Sequence, residues 1–224
     1  MDGAMEQTKS ISKATLVRLP GYLRFLKTSN LGGEDYISST TIAEGLNLNP
    51  IQVRKDLSQV SVSDGRPKLG FKVSELISDM ENFLGYNNTK EAVLVGVGLL
   101  GKTLLSYNGF SKYALEIVAA FDVNPELVGK TINGKQIFPM SELAHIVRRM
   151  NIKMGIITVP KICAQEVCDL LVDAGVRGIW DFAPVHLDVP DFVAIKYEDL
   201  ATSFLVLSNQ LSKKLSEEQG ENKK

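Results

Sequence analysis

The sequence predicts an α/β fold in which a Rossmann-type doubly wound parallel sheet follows a small winged helix-turn-helix domain and precedes one long helix. Three observations carry that prediction. From Glu91 onward, short apolar strands alternate with helical patterns, as in a parallel sheet. The first strand, Val93-Leu94-Val95, breaks into Gly96-Val97-Gly98-Leu99-Leu100-Gly101, a Gly-x-Gly-x-x-Gly turn that resumes as a helix. Before residue 85 the apolar spacing is helical, with an Asn-Pro restart at Asn49-Pro50 and an Asp-Gly turn at Asp64-Gly65.

The 224 residues are 44% hydrophobic, enough for two small cores. No run of 18 apolar residues could span a membrane, and the N-terminus lacks the apolar stretch of a signal peptide, so a cytoplasmic location is expected. A net charge of −1 argues against indiscriminate coating of nucleic acid. The distribution says more: from Lys9 to Lys72 there are ten Lys and Arg against five acids, so the first third is locally positive. Cys163 and Cys168 lie five apart on a helical pattern and point to different sides of it, so they cannot bridge there. They are expected to be reduced helix residues, with a thiol switch as the alternative. No His/Cys cluster has metal-ligand spacing, so no metal is expected.

The first helix is expected over Ser12–Leu26, from Leu16, Leu19, Leu23 and Leu26, with a kink or break near Leu19 imposed by Pro20. Ser38 to Leu46 opens on capping residues and forms a short helix. Asn49 as N-cap and Pro50 at the first position then start another, giving helix, turn and helix. On the second helix, Pro50–Val60, the inward face is Val53, Leu57 and Val60. The outward face is Ile51, Arg54, Lys55 and Ser58, flanked by Gln52 and Gln59. Arg and Lys can pair with guanine or phosphate, Gln can read adenine, and Ile can touch a thymine methyl, so this face suits the major groove of DNA. A merely solvated basic face has the same pattern. Ser61 to Val73 reads as a β-hairpin wing that could lay Arg66 and Lys68 along the minor groove or the phosphates; a plain surface hairpin is its alternative. Ser74 is expected to cap a helix to about Leu84, with a domain boundary just beyond it.

In the second domain, strands are expected at Ala92–Gly96, Glu116–Asp122, Gln136–Phe138, Met154–Val159, Gly178–Phe182 and Phe192–Tyr197. Helices are expected at Leu100–Tyr107, Met140–Met150 and Lys161–Ala174. The glycine run has the chemistry of a dinucleotide loop. Its first glycine makes the tight turn, Gly98 leaves the backbone open to a pyrophosphate, and Gly101 lets helix and strand pack closely. The helix N-terminus points amides and the positive end of its dipole at the phosphates. Asp122 ends the next long strand about 20 residues on, where a carboxylate holds ribose hydroxyls and repels the 2′-phosphate of NADP. Thr158-Val159-Pro160 and Phe182-Ala183-Pro184 follow later strands and should face the same crevice. The expected cofactor is therefore NAD(H). Helix Asp199–Leu215 carries Leu200, Phe204, Leu207, Leu211 and Leu215 as a near-heptad seam, suited to a second helix or subunit, or to its own domain. The expected division is 1–85 DNA-binding, 86–197 NAD(H)-binding, 198–216 dimer helix and 217–224 disordered tail.

Taken together, Gln52-Val53-Arg54-Lys55-Asp56-Leu57, the glycine run, Phe121-Asp122, Thr158-Val159-Pro160 and Phe182-Ala183-Pro184 resemble the Rex family of redox-sensing transcriptional repressors, over about Ser12 to Leu215. The resemblance implies a cytoplasmic bacterial homodimer that binds a palindromic operator when NAD⁺ dominates and lets go when NADH rises. It implies a C-terminal helix exchanged between subunits. It also implies a polar switch network of Arg24, Tyr107 and Asp199, with Tyr107 contributing to the cofactor site. Asp181 stands where that family leads one to expect Asn, and Leu200 where some members carry an aromatic residue near the nicotinamide. The alternatives are an NAD-dependent oxidoreductase, with Tyr107, Lys161 or His186 as acid/base, and a coenzyme A-binding regulatory protein. With the first 85 residues given to DNA, no substrate domain remains, so no catalytic residue is expected.

Overall fold

In the computed structural model the chain forms two compact units, Met1–Asn88 and Thr89–Lys224. The structure describes residues 11–29, 36–63, 65–66, 68–85 and 90–221.

The first unit runs α1 (Lys13–Thr28), β1 (Tyr36–Ile37), α2 (Ser39–Leu46), α3 (Pro50–Val60), β2 (Phe71–Lys72) and α4 (Val73–Leu84). Local chemistry sets the helix starts. Ser12 Oγ accepts from the Thr15 amide, Ser38 Oγ from the Thr41 amide, and Asn49 Oδ1 from the amides of Ile51 and Gln52. Asn47, left-handed at φ 52°, ends α2 so that α3 can restart at Pro50. Leu19, Tyr22, Leu23, Ile42, Val53, Leu57, Leu76 and Met80 form the buried core.

Three expectations are corrected in this unit. Pro20 does not break α1, which is continuous from Lys13 to Thr28. Pro20 lies on the exposed face, and the carbonyl it orphans, four residues back at exposed Leu16, can bond water instead. The α4 N-cap is Lys72 rather than Ser74, which lies inside the first turn. The wing is not a hairpin of residues 61–63 with 69–73. Phe71 and Lys72 pair antiparallel with Ile37 and Tyr36, and the wing itself is a tight loop closed by the Arg66–Gly70 bridge. Gly70 has φ +88°, and a methyl there would meet the Ile37 backbone, so the wing can close against β1 only with glycine at this place. Asp64 and Pro67 of the expected turn, and the boundary loop 86–89, lie outside the described residues.

The second unit continues with β3 (Lys90–Val95), α5 (Leu99–Ser106), β4 (Leu115–Asp122), β5 (Thr131–Ile132), β6 (Lys135–Pro139), α6 (Leu143–Arg149), β7 (Met154–Ile157), α7 (Lys161–Ala174), β8 (Gly178–Asp181), β9 (Ala194–Tyr197) and α8 (Leu200–Glu221). The sheet order is β5-β6-β4-β3-β7-β8-β9. All pairs are parallel except the β5–β6 hairpin. Strand order therefore reverses between β3 and β7, the doubly wound arrangement whose crevice lies at the carboxyl ends of those two strands. Val93 and Val95 of β3 join Phe121, Ile157, Val167 and Leu171 on one face of the sheet, while Ala92 and Leu94 join Leu105, Ile117 and Ala120 on the other.

Two expectations are corrected here as well. The Met140–Met150 helix begins as a 3-10 turn, Met140–Glu142, before α6. The tail expected to be disordered continues α8 to Glu221; residues 216–219 are Ser, Glu, Glu and Gln, which an established helix propagates through easily. Residues 222–224 lie outside the description. Along α8, Phe204, Leu207, Leu211 and Leu215 are all exposed in the single chain. The Leu200 side chain, one of the two departures noted above, lies outside the described residues.

Candidate nucleotide crevice and nucleic-acid interface

The crevice forms where β3 ends and the chain turns into α5. Gly96 sits at φ +98°, and a Cβ there would come 2.8 Å from both the Thr158 carbonyl oxygen and Val159 Cγ1. A methyl on Gly101 would overlap the Gly96 carbonyl oxygen. Gly98 differs from both: nothing lies within 4 Å of where its Cβ would be. Gly96 and Gly101 are thus required by packing of the protein on itself, and Gly98 is required by nothing inside the protein. The open space in front of it adjoins the first amides of α5, which no helical carbonyl can reach. These features fit a bound pyrophosphate.

Strand β7 is tied to the loop by Thr158, whose hydroxyl donates to the Gly96 carbonyl at 2.6 Å and whose amide donates to the Val95 carbonyl at 2.9 Å. Gly96, Gly98, Asp122, Thr158, Val159 and Pro160 line one cavity of about 380 Å³, which Cys163 also reaches. Asp122 accepts from the Val97 amide at 2.5 Å through Oδ2 and from the Asn124 amide at 2.8 Å through Oδ1. Each oxygen keeps lone-pair capacity for a ribose hydroxyl, but the carboxylate also anchors the glycine loop, a role the spacing did not reveal. Val97 itself is buried, while Leu99 and Leu100 begin α5 on its exposed side.

Phe182, Ala183 and Pro184 lie at the neighbouring β8 end rather than in the lining of that cavity. Phe182 belongs to an aromatic row: Tyr107 meets Phe110 at 4.9 Å, Phe110 meets Trp180 at 5.7 Å, and Trp180 meets Phe182 at 4.9 Å. Trp180 Nε1 donates to Glu198 Oε1 at 3.1 Å, beside the start of α8. Asp181 is fully buried: Oδ1 accepts from the Ala183 amide at 2.9 Å, and Oδ2 has no partner. Burial pushes its pKa above the usual carboxylate value, against the lowering effect of the Ala183 amide. Cys168 is buried and its thiol is pushed up to about 11 by burial, with Asp169 and Asp181 adding to the rise, while Cys163 is exposed.

The three residues of the expected switch network are placed as follows. Arg24 is exposed on α1 of the first unit. Tyr107 and Asp199 belong to the second. Asp199 caps α8, accepting from the amides of Ala201 and Thr202 and from the Thr202 hydroxyl, and these bonds, the hydroxyl first, hold its pKa below the ordinary carboxylate value.

On α3, Ile51, Gln52, Arg54, Lys55 and Ser58 are exposed on one side, and Gln59 is half-buried. The Ser58 hydroxyl donates to the Lys55 carbonyl at 2.9 Å. In the wing, Lys68 has φ 68° and the Arg66 guanidinium lies 5.1 Å from the centre of the Tyr36 ring. Between α3 and the wing is a cleft of about 470 Å³ where Arg54, Arg66 and Lys68 meet Ser38, Ser58 and Ser61. Cations and hydroxyls on a concave surface suit a phosphodiester backbone. Ser38 and Ser61 were missed in the sequence because one reads as a helix cap and the other as a turn residue. Asp79 of α4 holds the α3–wing linker by accepting from the Val62 amide at 2.8 Å.

Asp56 was also missed. It is 3% exposed, and its four lone-pair positions are filled. Oδ1 accepts from Thr15 Oγ1 at 3.0 Å and Arg18 Nη2 at 2.9 Å; Oδ2 accepts from Arg18 Nε at 2.8 Å and the Tyr22 hydroxyl at 2.8 Å. Burial disfavours its charge more than any single contact favours it, yet the bonds from Arg18, Tyr22 and Thr15 together hold its pKa below the ordinary value. Burial first, and then the bond to Asp56, pushes Tyr22 up to about 12. Thus α1 is clamped to α3 through one ion pair, in which Asp56 is buried and Arg18 half-buried.

Comparison with known proteins follows the same division. A family model described as "Putative DNA-binding protein N-terminus" matches residues 10–58, and one described as "CoA binding domain" matches residues 87–185. The redox-sensing transcriptional repressor Rex of Bacteroides fragilis is 40% identical over 207 residues, 92% of this chain and 94% of its own. The chain belongs to the Rex family of redox-sensing transcriptional repressors. Rex of Treponema denticola is 40% identical over 94% of this chain and all of its own length. Among solved structures, RSP, a Rex-family repressor, superposes with a TM-score of 0.84 at 30% identity, covering 94% of this chain and 98% of that one. RSP in complex with β-NAD⁺ and operator DNA gives 0.85 at 30% identity, covering 94% and 97%. Because the Rex relatives that span nearly the whole chain are repressors, the oxidoreductase alternative is set aside. Among the described residues no helix is long and apolar enough to cross a membrane, and no group of three His, Cys, Asp or Glu is placed to hold a metal ion.

Proposed function

We propose that the chain acts as a cytoplasmic homodimer that represses transcription from a palindromic operator and releases it when NADH binds. RSP has been solved with β-NADH as well as with β-NAD⁺ and operator DNA, which supports both ligands for a relative. In this reading Gly96, Gly98, Gly101, Asp122, Thr158, Val159 and Pro160 hold the ribose and pyrophosphate. The turn Phe182-Ala183-Pro184, with Tyr107, serves the nicotinamide end. Ile51, Gln52, Arg54, Lys55, Ser58, Arg66 and Lys68 face DNA, and the α8 seam pairs the subunits. Arg24, Tyr107 and Asp199 rearrange between the two states.

The observation that carries the proposal is the open space at Gly98, since the protein's own packing gives no reason for a glycine there. NADH would favour a closed dimer whose two recognition helices no longer match successive major grooves, about 34–36 Å apart. Only a differential affinity can move that equilibrium; a 100-fold preference corresponds to about 2.7 kcal/mol. The test is fluorescence anisotropy of a labelled palindromic operator titrated with NADH, NAD⁺ and coenzyme A. NADH alone should release the DNA; unchanged operator affinity with NADH would remove the sensor reading, and release by coenzyme A would change the ligand.

A further inference from the structure

The α1–α3 clamp does more than hold two helices together. Arg18 spends Nε and one hydrogen of Nη2 on Asp56. Nη2 also lies 3.5 Å from Thr15 Oγ1, and Nη1 and Nη2 together reach the side chain of Gln52, one helical turn before Asp56 on α3. The end of the Gln52 amide that lies 3.0 Å from Arg18 Nη2 and 3.2 Å from Nη1 is assigned as Oε1, because a guanidinium offers only donors and an amide NH₂ turned toward it would find no acceptor. The Gln52 side chain is nevertheless exposed, beside Ile51 and Lys55 on the outward face. Its oxygen is therefore covered by a guanidinium, and its NH₂ group is what it can present outward.

We propose that Arg18 is a specificity-determining residue: by occupying the Gln52 oxygen it makes Gln52 a donor-only reader of the operator, matched to the acceptor edge of guanine and mismatched to adenine. A free glutamine reads adenine with both ends of its amide, accepting from N6–H and donating to N7. With the oxygen occupied, the first of these bonds is lost. Guanine presents only acceptors, N7 and O6, in the major groove. The orientation is enforced by charge, since Arg18 cannot turn away from Gln52 without loosening its bidentate bond to buried Asp56. On this proposal Gln52 departs from the sequence-based expectation that a glutamine here can read adenine. The inference rests on the DNA-binding reading above.

The test is selection of half-sites from a randomised duplex library by wild-type protein without NADH, by Gln52→Ala and by Arg18→Lys. The position relaxed in Gln52→Ala is the one Gln52 reads, and the change should cost about tenfold in affinity there. Guanine at that position in the wild type, moving toward adenine in Arg18→Lys, is the expected result. Adenine in the wild type, or a guanine preference unchanged in Arg18→Lys, overturns the proposal. So does a uniform affinity loss in Gln52→Ala with no position relaxed, which marks a phosphate contact. Should Arg18→Lys fail the check of folding by circular dichroism, Gln52→Glu decides: its carboxylate keeps Arg18 but removes both donors. Affinity for the guanine site should then fall about tenfold or more with the melting temperature held, and retained affinity overturns the proposal. If the wild type selects no sequence at all, the failure lies with the DNA-binding reading instead.

Discussion

Gly98→Ala separates ligand demand from structural demand. The new methyl meets no protein atom within 4 Å, and the backbone there, at φ −72°, accepts any L residue. The cost to the free protein is that of alanine at an N-cap, roughly 0.5–1 kcal/mol, or a few degrees in Tm. On the proposed reading the same methyl occupies the approach of the pyrophosphate to the α5 amides. Losing one charge-assisted hydrogen bond is worth about 1.5–3 kcal/mol, which is about 10- to 150-fold in Kd. Gly101→Ala is the counterpart: its methyl overlaps the Gly96 carbonyl oxygen, and such overpacking costs about 1–3 kcal/mol before any ligand is added. Calorimetric titration with NADH and thermal melts of the free proteins measure both quantities. The expected pattern is Gly98→Ala melting within a few degrees of wild type but binding weakly, and Gly101→Ala melting lower before any ligand is added. NADH affinity within twofold of wild type in Gly98→Ala refutes the assignment of that space to phosphate.

Further expectations concern other residues. Arg54→Ala should lose at least about tenfold in operator affinity with NADH affinity unchanged; loss of both in parallel titrations would indicate misfolding. Asp122→Ala should weaken NADH about tenfold and relax rejection of NADPH, whereas Asp122→Asn, which keeps an acceptor for the Val97 amide, should separate charge from loop anchoring. Titrations with both nucleotides check this, and undiminished NADH affinity in Asp122→Ala removes the ribose role. For Asp181 the folded pKa is raised, so its contribution to stability is fully present below the unfolded carboxylate value and is lost as pH rises through the folded one. Asp181→Asn should lack that decline, so denaturant melts across pH should show the variant gaining on wild type toward neutrality. A pH-independent difference would mean that Asp181 is not the titrating group.

What the sequence revealed was mostly local. Asn49-Pro50, the serine caps and the glycine run act over a few residues, so α2, α3 and the β3–α5 turn could be read directly. Pairings between distant segments could not. Strands β1 and β2 are two residues each, too short for any alternation to announce them, and the 33 residues 38–70 lie between them. Asp56 lies on the flank of the apolar arc formed by Val53, Leu57 and Val60, and only Thr15, Arg18 and Tyr22, brought in by another helix, show that it is buried and satisfied. Pro20 shows the reverse error: a strong local rule yielded because the orphaned carbonyl lies on a wet face. In the crevice, spacing located Asp122 but could not show that its carboxylate also holds the Val97 amide.

The space at Gly98 and the carboxylate of Asp122 face, on the proposed reading, the ribose and pyrophosphate that oxidation leaves unchanged. Whatever affinity they supply is common to NAD⁺ and NADH and cancels when the two compete. That half of the site fixes how large the nucleotide pool must be for every subunit to be filled, and only contacts at the other end can tell the two forms apart. Above that pool size, doubling both nucleotides together leaves operator occupancy where it was, while moving electrons at constant pool shifts it. Weakening the Gly98 end would return the protein to counting molecules instead of weighing one form against the other.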